Sequence, residues 1–70
     1  MHNEDIRIGL IKLNKMQKDL LAEINKRGHL NMKKNQFSDY MTGRIAGPQA
    51  DRVLSLARTI VREWEKEAGM

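Results

Sequence analysis

Apolar residues recur along this 70-residue chain at spacings of three and four, which places them on one face of an α-helix. Gly28 and Gly43 follow two of these stretches, where glycine commonly ends a helix, and Pro48 opens the last stretch. No segment makes a convincing strand. The pattern therefore predicts an all-α fold, a compact bundle of four helices, which lie at residues 4–13, about 15–26, 33–42 and 48–67.

The segment between the second and third predicted helices is less regular. Leu30 and Met32 alternate with polar residues there, so a short extended segment is one interpretation. A loop anchored by Leu30 is the interpretation that we favour.

The fourth predicted helix carries an apolar stripe that is wider than one small core needs. A chain of this length buries only about 60% of the surface that its unfolded form exposes, and it has no cysteine to form a disulfide. We therefore expect a second copy to cover part of the stripe. The predicted homodimer interface consists of Leu56, Ile60 and Trp64.

The positive charge of the chain is concentrated in its middle. Residues 15–44 hold seven Lys and Arg against three Asp and Glu, so this segment carries the whole net charge of +4. No carboxylate lies between Lys26 and Lys34. Such a segment is typical of a protein that binds a polyanion, although it can equally be a solvated face.

Several classes of function lack the residues that they need. The two histidines, His2 and His29, lie in different segments without cysteine, so no zinc site is expected. Neither a nucleophile–histidine–carboxylate arrangement nor a glycine-rich phosphate loop is present. No apolar run reaches the roughly 20 residues of a membrane span. We expect a soluble, cytoplasmic, nucleoid-associated protein that is not an enzyme and binds no cofactor, metal, membrane or small-molecule ligand.

Two segments resemble motifs of the Cro/CI-type (Xre-like) helix-turn-helix family. Residues 16–21, Met-Gln-Lys-Asp-Leu-Leu, are similar to the run that opens the family's second helix. Residues 36–44, Gln-Phe-Ser-Asp-Tyr-Met-Thr-Gly-Arg, are similar to the run that closes the third, and Pro48 matches the proline that starts the fourth. The resemblance covers residues 6–56. It implies a lambda-repressor-like DNA-binding domain that regulates transcription, as a repressor of a phage or mobile genetic element.

The chain departs from the family pattern at two places. Leu21 stands where the family prefers alanine, which allows close contact between helices. The turn from Asn25 to about Met32 is several residues longer than the tight turn of the commonest members.

The resemblance implies that the third helix reads the major groove, where each base pair presents its own pattern of donors and acceptors. Phe37 and Met41 would then face the core. Asp39 would accept a hydrogen bond from a cytosine amine or orient a lysine. Base contacts are expected from Lys34, Asn35, Gln36, Ser38 and Asp39.

Phosphate contacts are expected beside these base contacts. Gln17 resembles the family's phosphate-contacting glutamine, backbone N–H groups at that helix start would add an anion site, and Arg44 would clamp a phosphate. Tyr40 has two interpretations, a phosphate contact or packing at the edge of the core. The expected phosphate-contacting residues are Gln17, Lys18, Lys33, Tyr40 and Arg44.

A second hypothesis makes the chain a protein-interaction module, an antirepressor or inhibitor with a helix-turn-helix-like fold. The apolar stripe of the fourth helix would suit a protein partner as well as a second copy. RNA binding ranks third, because base stacking needs exposed aromatic residues and the chain has only Phe37, Tyr40 and Trp64.

Overall fold

The computed structural model describes residues 3–69, and within this range all regular structure is helical. The prediction of an all-α four-helix bundle is therefore confirmed. His2, one of the two histidines of the chain, lies outside the described residues. The helices are α1 (Glu4–Lys12), α2 (Gln17–Gly28), α3 (Lys34–Thr42) and α4 (Pro48–Glu67). No helix among residues 3–69 is both long and apolar enough to cross a membrane.

Helix α4 forms the centre of the bundle, because α1, α2 and α3 each pack against it. The wide apolar stripe of α4 therefore faces three helices of the same chain. Ile60, one of the residues predicted at a homodimer interface, is 0% exposed. The assignment of Ile60 to that interface is wrong, since a side chain buried in its own core has no surface to offer a second subunit. Leu56 and Trp64 are half-buried and pack against the same core.

Helices α1 and α4 approach each other closely at Gly9. A Cβ placed on Gly9 would lie 2.5 Å from the Cγ1 atom of Val61. This is far inside van der Waals contact, so only glycine lets the two helices lie at this separation. The cost is the low helix propensity of glycine, about 1 kcal/mol relative to alanine.

Helix α2 ends differently from the prediction. It continues two residues beyond the predicted residue 26, and the left-handed backbone that stops it belongs to His29 (φ 53°) rather than to Gly28. Gly28 is instead the last helical residue, where an added Cβ would lie 3.1 Å from the side chain of Leu30. The glycine therefore provides space for Leu30. At the end of α3 the prediction is confirmed, because Gly43 adopts the left-handed conformation (φ 81°).

The connection between α2 and α3 spans residues 29–33, so much of the long turn predicted from Asn25 is helical. The side chain of Asn25 holds this connection in two directions. Its Nδ2 donates to the carbonyl of Met32 (3.0 Å), and its Oδ1 accepts from the Met32 N–H (3.1 Å). Met32 is buried and Leu30 only partly so, which makes Met32 the stronger apolar anchor of the loop.

Two arginines join α4 to other helices. The Nε atom of Arg58 donates to Asp5 of α1 at 2.8 Å, and Arg27 of α2 forms two hydrogen bonds with Glu63 at 3.0 and 3.1 Å. The hydrogen bond from Arg58 lowers the pKa of Asp5 below its ordinary value. The hydrogen bonds from Arg27 likewise lower the pKa of Glu63.

A further contact ties the start of α1 to the end of α3. The side chain of Asn3 donates from Nδ2 to the carbonyls of Tyr40 (3.5 Å) and Met41 (3.2 Å). Its Oδ1 accepts from Arg58 at 2.5 Å. Asn3 therefore connects α3 with α4 as well as capping the orphan carbonyls at the helix end.

We predict that Asn25→Ala lowers the free energy of unfolding by about 1–3 kcal/mol, because it leaves the N–H and carbonyl of a buried residue without partners. Urea unfolding followed by circular dichroism measures the change. Asn31→Ala is the matched control, since Asn31 lies exposed in the same connection. Equal effects of the two substitutions would contradict the role of the Asn25 amide.

We also predict that Asp5→Asn lowers the free energy of unfolding at pH 7 and that the difference from the unmodified protein, the stability gap, closes in acid. A carboxyl whose pKa is lower in the folded state stabilises the fold above its unfolded pKa, roughly 4, and this contribution disappears as the pH falls through the folded pKa. Urea unfolding between about pH 7 and pH 2 measures the gap. Glu67→Gln is the control, because Glu67 forms no ion pair within residues 3–69. A gap that persists unchanged at the lowest pH would exclude the ion pair as its cause.

Candidate nucleic-acid interface

Helix α3 has one buried and one open face. Phe37 and Tyr40 are buried and Met41 is half-buried against the core, as predicted for Phe37 and Met41. These three residues share one side of the helix, which leaves the opposite side to solvent. The exposed residues of α3 are Lys34, Asn35, Gln36, Ser38 and Thr42, with Asp39 half-buried beside them.

The start of α3 is positively charged and carries no compensating anion. Lys33 stands at the N-cap without a side-chain hydrogen bond to the helix, and the first turn contains no acidic residue. The N-terminal backbone N–H groups of a helix carry partial positive charge. Here the exposed side chains of Lys33 and Lys34 add two full charges beside them.

The start of α2 is different, although Gln17 and Lys18 are exposed there as predicted. The carboxylate of Asp19 lies at this helix end and accepts a hydrogen bond from the Met16 N–H at 3.0 Å. The carboxylate of Asp19 is therefore a fixed negative charge at this helix end, where it takes up the Met16 N–H. This charge disfavours an external anion at the backbone of α2, so contact with an anion at this end depends mainly on the two exposed side chains.

Arginines rather than lysines form the ion pairs of the fold. Every ion pair found within residues 3–69 has an arginine as its cation. The three lysines predicted at the interface, Lys18, Lys33 and Lys34, form none of these pairs. Their charges are thus available to an external anion, and the loss of their counterions on binding would favour a polyanion.

Gln17 and Ser38 come from different predicted groups, but the fold brings them to the same cleft. This cleft has a volume of about 290 Å³ and lies between α1, α2 and α3. Arg7 and Thr42 also line it, and neither was predicted as a site residue. Thr42 lies seven residues after Asn35, so the helical period could have found it. No sequence signal could have found Arg7, because it belongs to α1 and reaches the cleft only through the tertiary fold.

Arg44 follows α3 and is highly exposed, with 80% of its side chain open to solvent. Its Nη1 atom lies 3.9 Å from Oδ1 of Asp39, an ion pair at the limit of contact. The cation beside Asp39 is therefore this arginine, and not the lysine that the sequence suggested. An exposed pair of this kind contributes little to stability, so Arg44 can leave it at little cost.

Tyr40 belongs to the core and not to the phosphate-contacting set. Its ring is buried, and its hydroxyl accepts a hydrogen bond from Nε2 of Gln36 at 3.1 Å. The predicted phosphate contact is wrong, because the spacing from Phe37 places both aromatic residues on the inner side of α3. The same hydrogen bond orients Gln36, which lies one turn earlier along the open face.

Among the residues that the structure describes, no three His, Asp or Glu side chains lie close enough together to hold a metal ion. Comparison with known proteins finds no match: no family model, no curated protein and no solved structure matches this chain.

Proposed function

We propose that this protein binds double-stranded DNA in a sequence-specific way, with α3 in the major groove. In this proposal it regulates transcription, as a repressor of a phage or mobile genetic element. An α-helix about 10–12 Å across fits the major groove, where base edges can be distinguished by hydrogen bonding.

The observation that carries the proposal is the open face of α3. One helix combines an uncapped, lysine-flanked N-terminus with a row of exposed amide and hydroxyl side chains, while its other face is fixed in the core. A recognition helix needs both properties, because its polar groups must meet base edges at defined positions. A face that served only to keep the chain solvated would not need to keep carboxylates away from its lysines.

The surrounding residues supply the contacts that carry no sequence information. Exposed side chains stand at the start of α2 (Gln17 and Lys18), before α3 (Lys33) and after it (Arg44), and Gln17 shares a cleft with Ser38 of α3. Contacts of this kind fix the register of a protein on the duplex and make binding depend on salt. Arg7, at the cleft that Gln17 and Ser38 share, extends this set to α1.

The proposal is tested by a binding selection of the purified protein on a random pool of duplex DNA at near-physiological salt. Enrichment of one motif, followed by fluorescence anisotropy on that motif and on a scrambled duplex, would support a sequence reader. Absence of any enriched motif, together with no binding to bulk duplex at low salt, would overturn the proposal.

We predict that Arg44→Ala weakens binding to the selected and the scrambled duplex alike. It should also lower the slope of log K against log salt by about one unit, since one phosphate contact is lost. Arg62→Ala is the matched control, because Arg62 is also exposed but lies on α4 beside α1. If both variants lose the same affinity, the effect of Arg44 reflects only net charge.

We predict that Asn35→Ala relaxes discrimination at one base pair by about 1–3 kcal/mol and changes binding to the scrambled duplex little. Its amide forms no hydrogen bond within residues 3–69 and stands on the middle of the open face, so it is free to bind an adenine. Competition among single-base variants of the selected motif measures the effect. Uniform weakening across all variants would make Asn35 a positioning residue instead.

The alternative function, a protein-interaction module, now has a different basis. Its predicted surface on α4 is largely covered, but α1 exposes two isoleucines. The DNA selection separates the two functions, because a module of this kind would enrich no motif.

A further inference from the structure

The hydroxyl of Tyr40 reaches the open face of α3 from inside the bundle. Tyr40 is only 5% exposed, whereas Gln36, four residues earlier, is exposed. Residues at this spacing are neighbours on a helix surface, and a long side chain leans toward the turn before its own. The Tyr40 hydroxyl therefore lies beside the Gln36 amide and accepts a hydrogen bond from its Nε2 atom at 3.1 Å.

The exposed face of α3 carries two amide side chains, and the structure holds them differently. The amide of Asn35 forms no hydrogen bond within residues 3–69. The amide of Gln36 is tied to a residue of the core. Tyr40 is itself fixed, because its ring is buried and its backbone carbonyl accepts a hydrogen bond from Asn3. Gln36 is thus the amide of this face that is positioned before any ligand binds.

The hydrogen bond leaves Gln36 able to recognise a base. A glutamine amide has two N–H donors and one oxygen acceptor, and Tyr40 takes one of the donors. The remaining N–H and the oxygen are the groups that pair with N7 and the N6 amine of adenine in the major groove. A flexible glutamine loses rotamer freedom when it binds, and a side chain that is already held loses less.

We propose that Tyr40 is a positioning residue that holds Gln36 for the readout of an adenine in the major groove. The proposal rests on the DNA-binding function proposed above. Tyr40 contacts no base or phosphate in this role, since its ring stays in the core. Its hydroxyl contributes to base discrimination only through Gln36.

Tyr40→Phe tests the proposal, because it keeps the ring and removes only the hydroxyl. Competition among single-base variants of the selected motif should first show that Gln36→Ala loses the preference for one A·T pair. Tyr40→Phe should reduce discrimination at the same pair by about two- to tenfold, the contribution of one hydrogen bond, with binding to the scrambled duplex unchanged. Added to Gln36→Ala, it should have no further effect, because the two substitutions remove the same interaction.

Asn35→Ala is the matched control, since Asn35 lies next to Gln36 without a hydrogen bond to Tyr40. Its effect on discrimination and that of Tyr40→Phe should add, because they concern different base pairs. Urea unfolding of each variant verifies that it remains folded. A loss of folded protein weakens binding to every duplex equally, so it differs from a change at one base pair.

The free protein offers a readout that needs no DNA. Nuclear magnetic relaxation measures the order of each side-chain amide on the picosecond-to-nanosecond timescale. The Gln36 amide should be more ordered than the Asn35 amide in the unmodified chain. Tyr40→Phe should lower the order of the Gln36 amide and leave that of Asn35 unchanged.

Four results would overturn the proposal, and each differs from a failure of the proposed function. A selected motif that Tyr40→Phe discriminates as well as the unmodified chain does would leave Tyr40 to the core alone. Additive effects of Tyr40→Phe and Gln36→Ala would separate the hydroxyl from Gln36, and an unchanged order of the Gln36 amide would show that Tyr40 does not hold it. A preference for a G·C pair lost in Gln36→Ala would exclude adenine. A selection without any enriched motif would instead remove the DNA-binding function, and the role of Tyr40 with it.

Discussion

Three short helices each pack against a single long helix, and the rest of the structure depends on this packing. Helices of nine to twelve residues are marginally stable alone in water, so α1, α2 and α3 exist because α4 buries their apolar faces. Within residues 3–69 no polar or charged residue is fully buried, and the core is apolar throughout. The direction in which α3 presents its polar face is thus set by contacts on its opposite side.

Much of this arrangement could be predicted from the sequence because amphipathic helices repeat their apolar residues every three or four positions. The bounds of α4 agree with the prediction, and those of α1 and α3 differ by one residue. The end of α2 could not be predicted, since a glycine near a helix end can be needed either for a left-handed backbone conformation or for the space that its missing side chain leaves. Gly28 is needed for space, and the left-handed conformation belongs to His29. Likewise, the width of the stripe on α4 indicates how much surface is covered and not whether the same chain covers it, and for this reason Ile60 was misassigned.

The candidate interface divides in the same way. Its α3 residues follow from the helical period, which also explains why Tyr40, three residues after Phe37, turns inward. Arg7 joins the interface only through tertiary contact, so no pattern along the chain contains it. The availability of the lysines is a property of the whole fold as well, because it arises where arginines have taken the carboxylates. Sequence supplies the inventory of charges, and the fold decides which of them remain open to a partner.

The contact of Gly9 with Val61 restricts how the sequence can drift. A single mutation that adds a methyl group at position 9 pushes it into the Val61 side chain, whereas a prior loss of volume at position 61 would make room for it. The first step of that path opens a cavity in the core and the second fills it, so the order of the two substitutions determines whether the intermediate folds. Among descendants of this chain, a larger residue at position 9 should therefore occur only where position 61 has already become smaller.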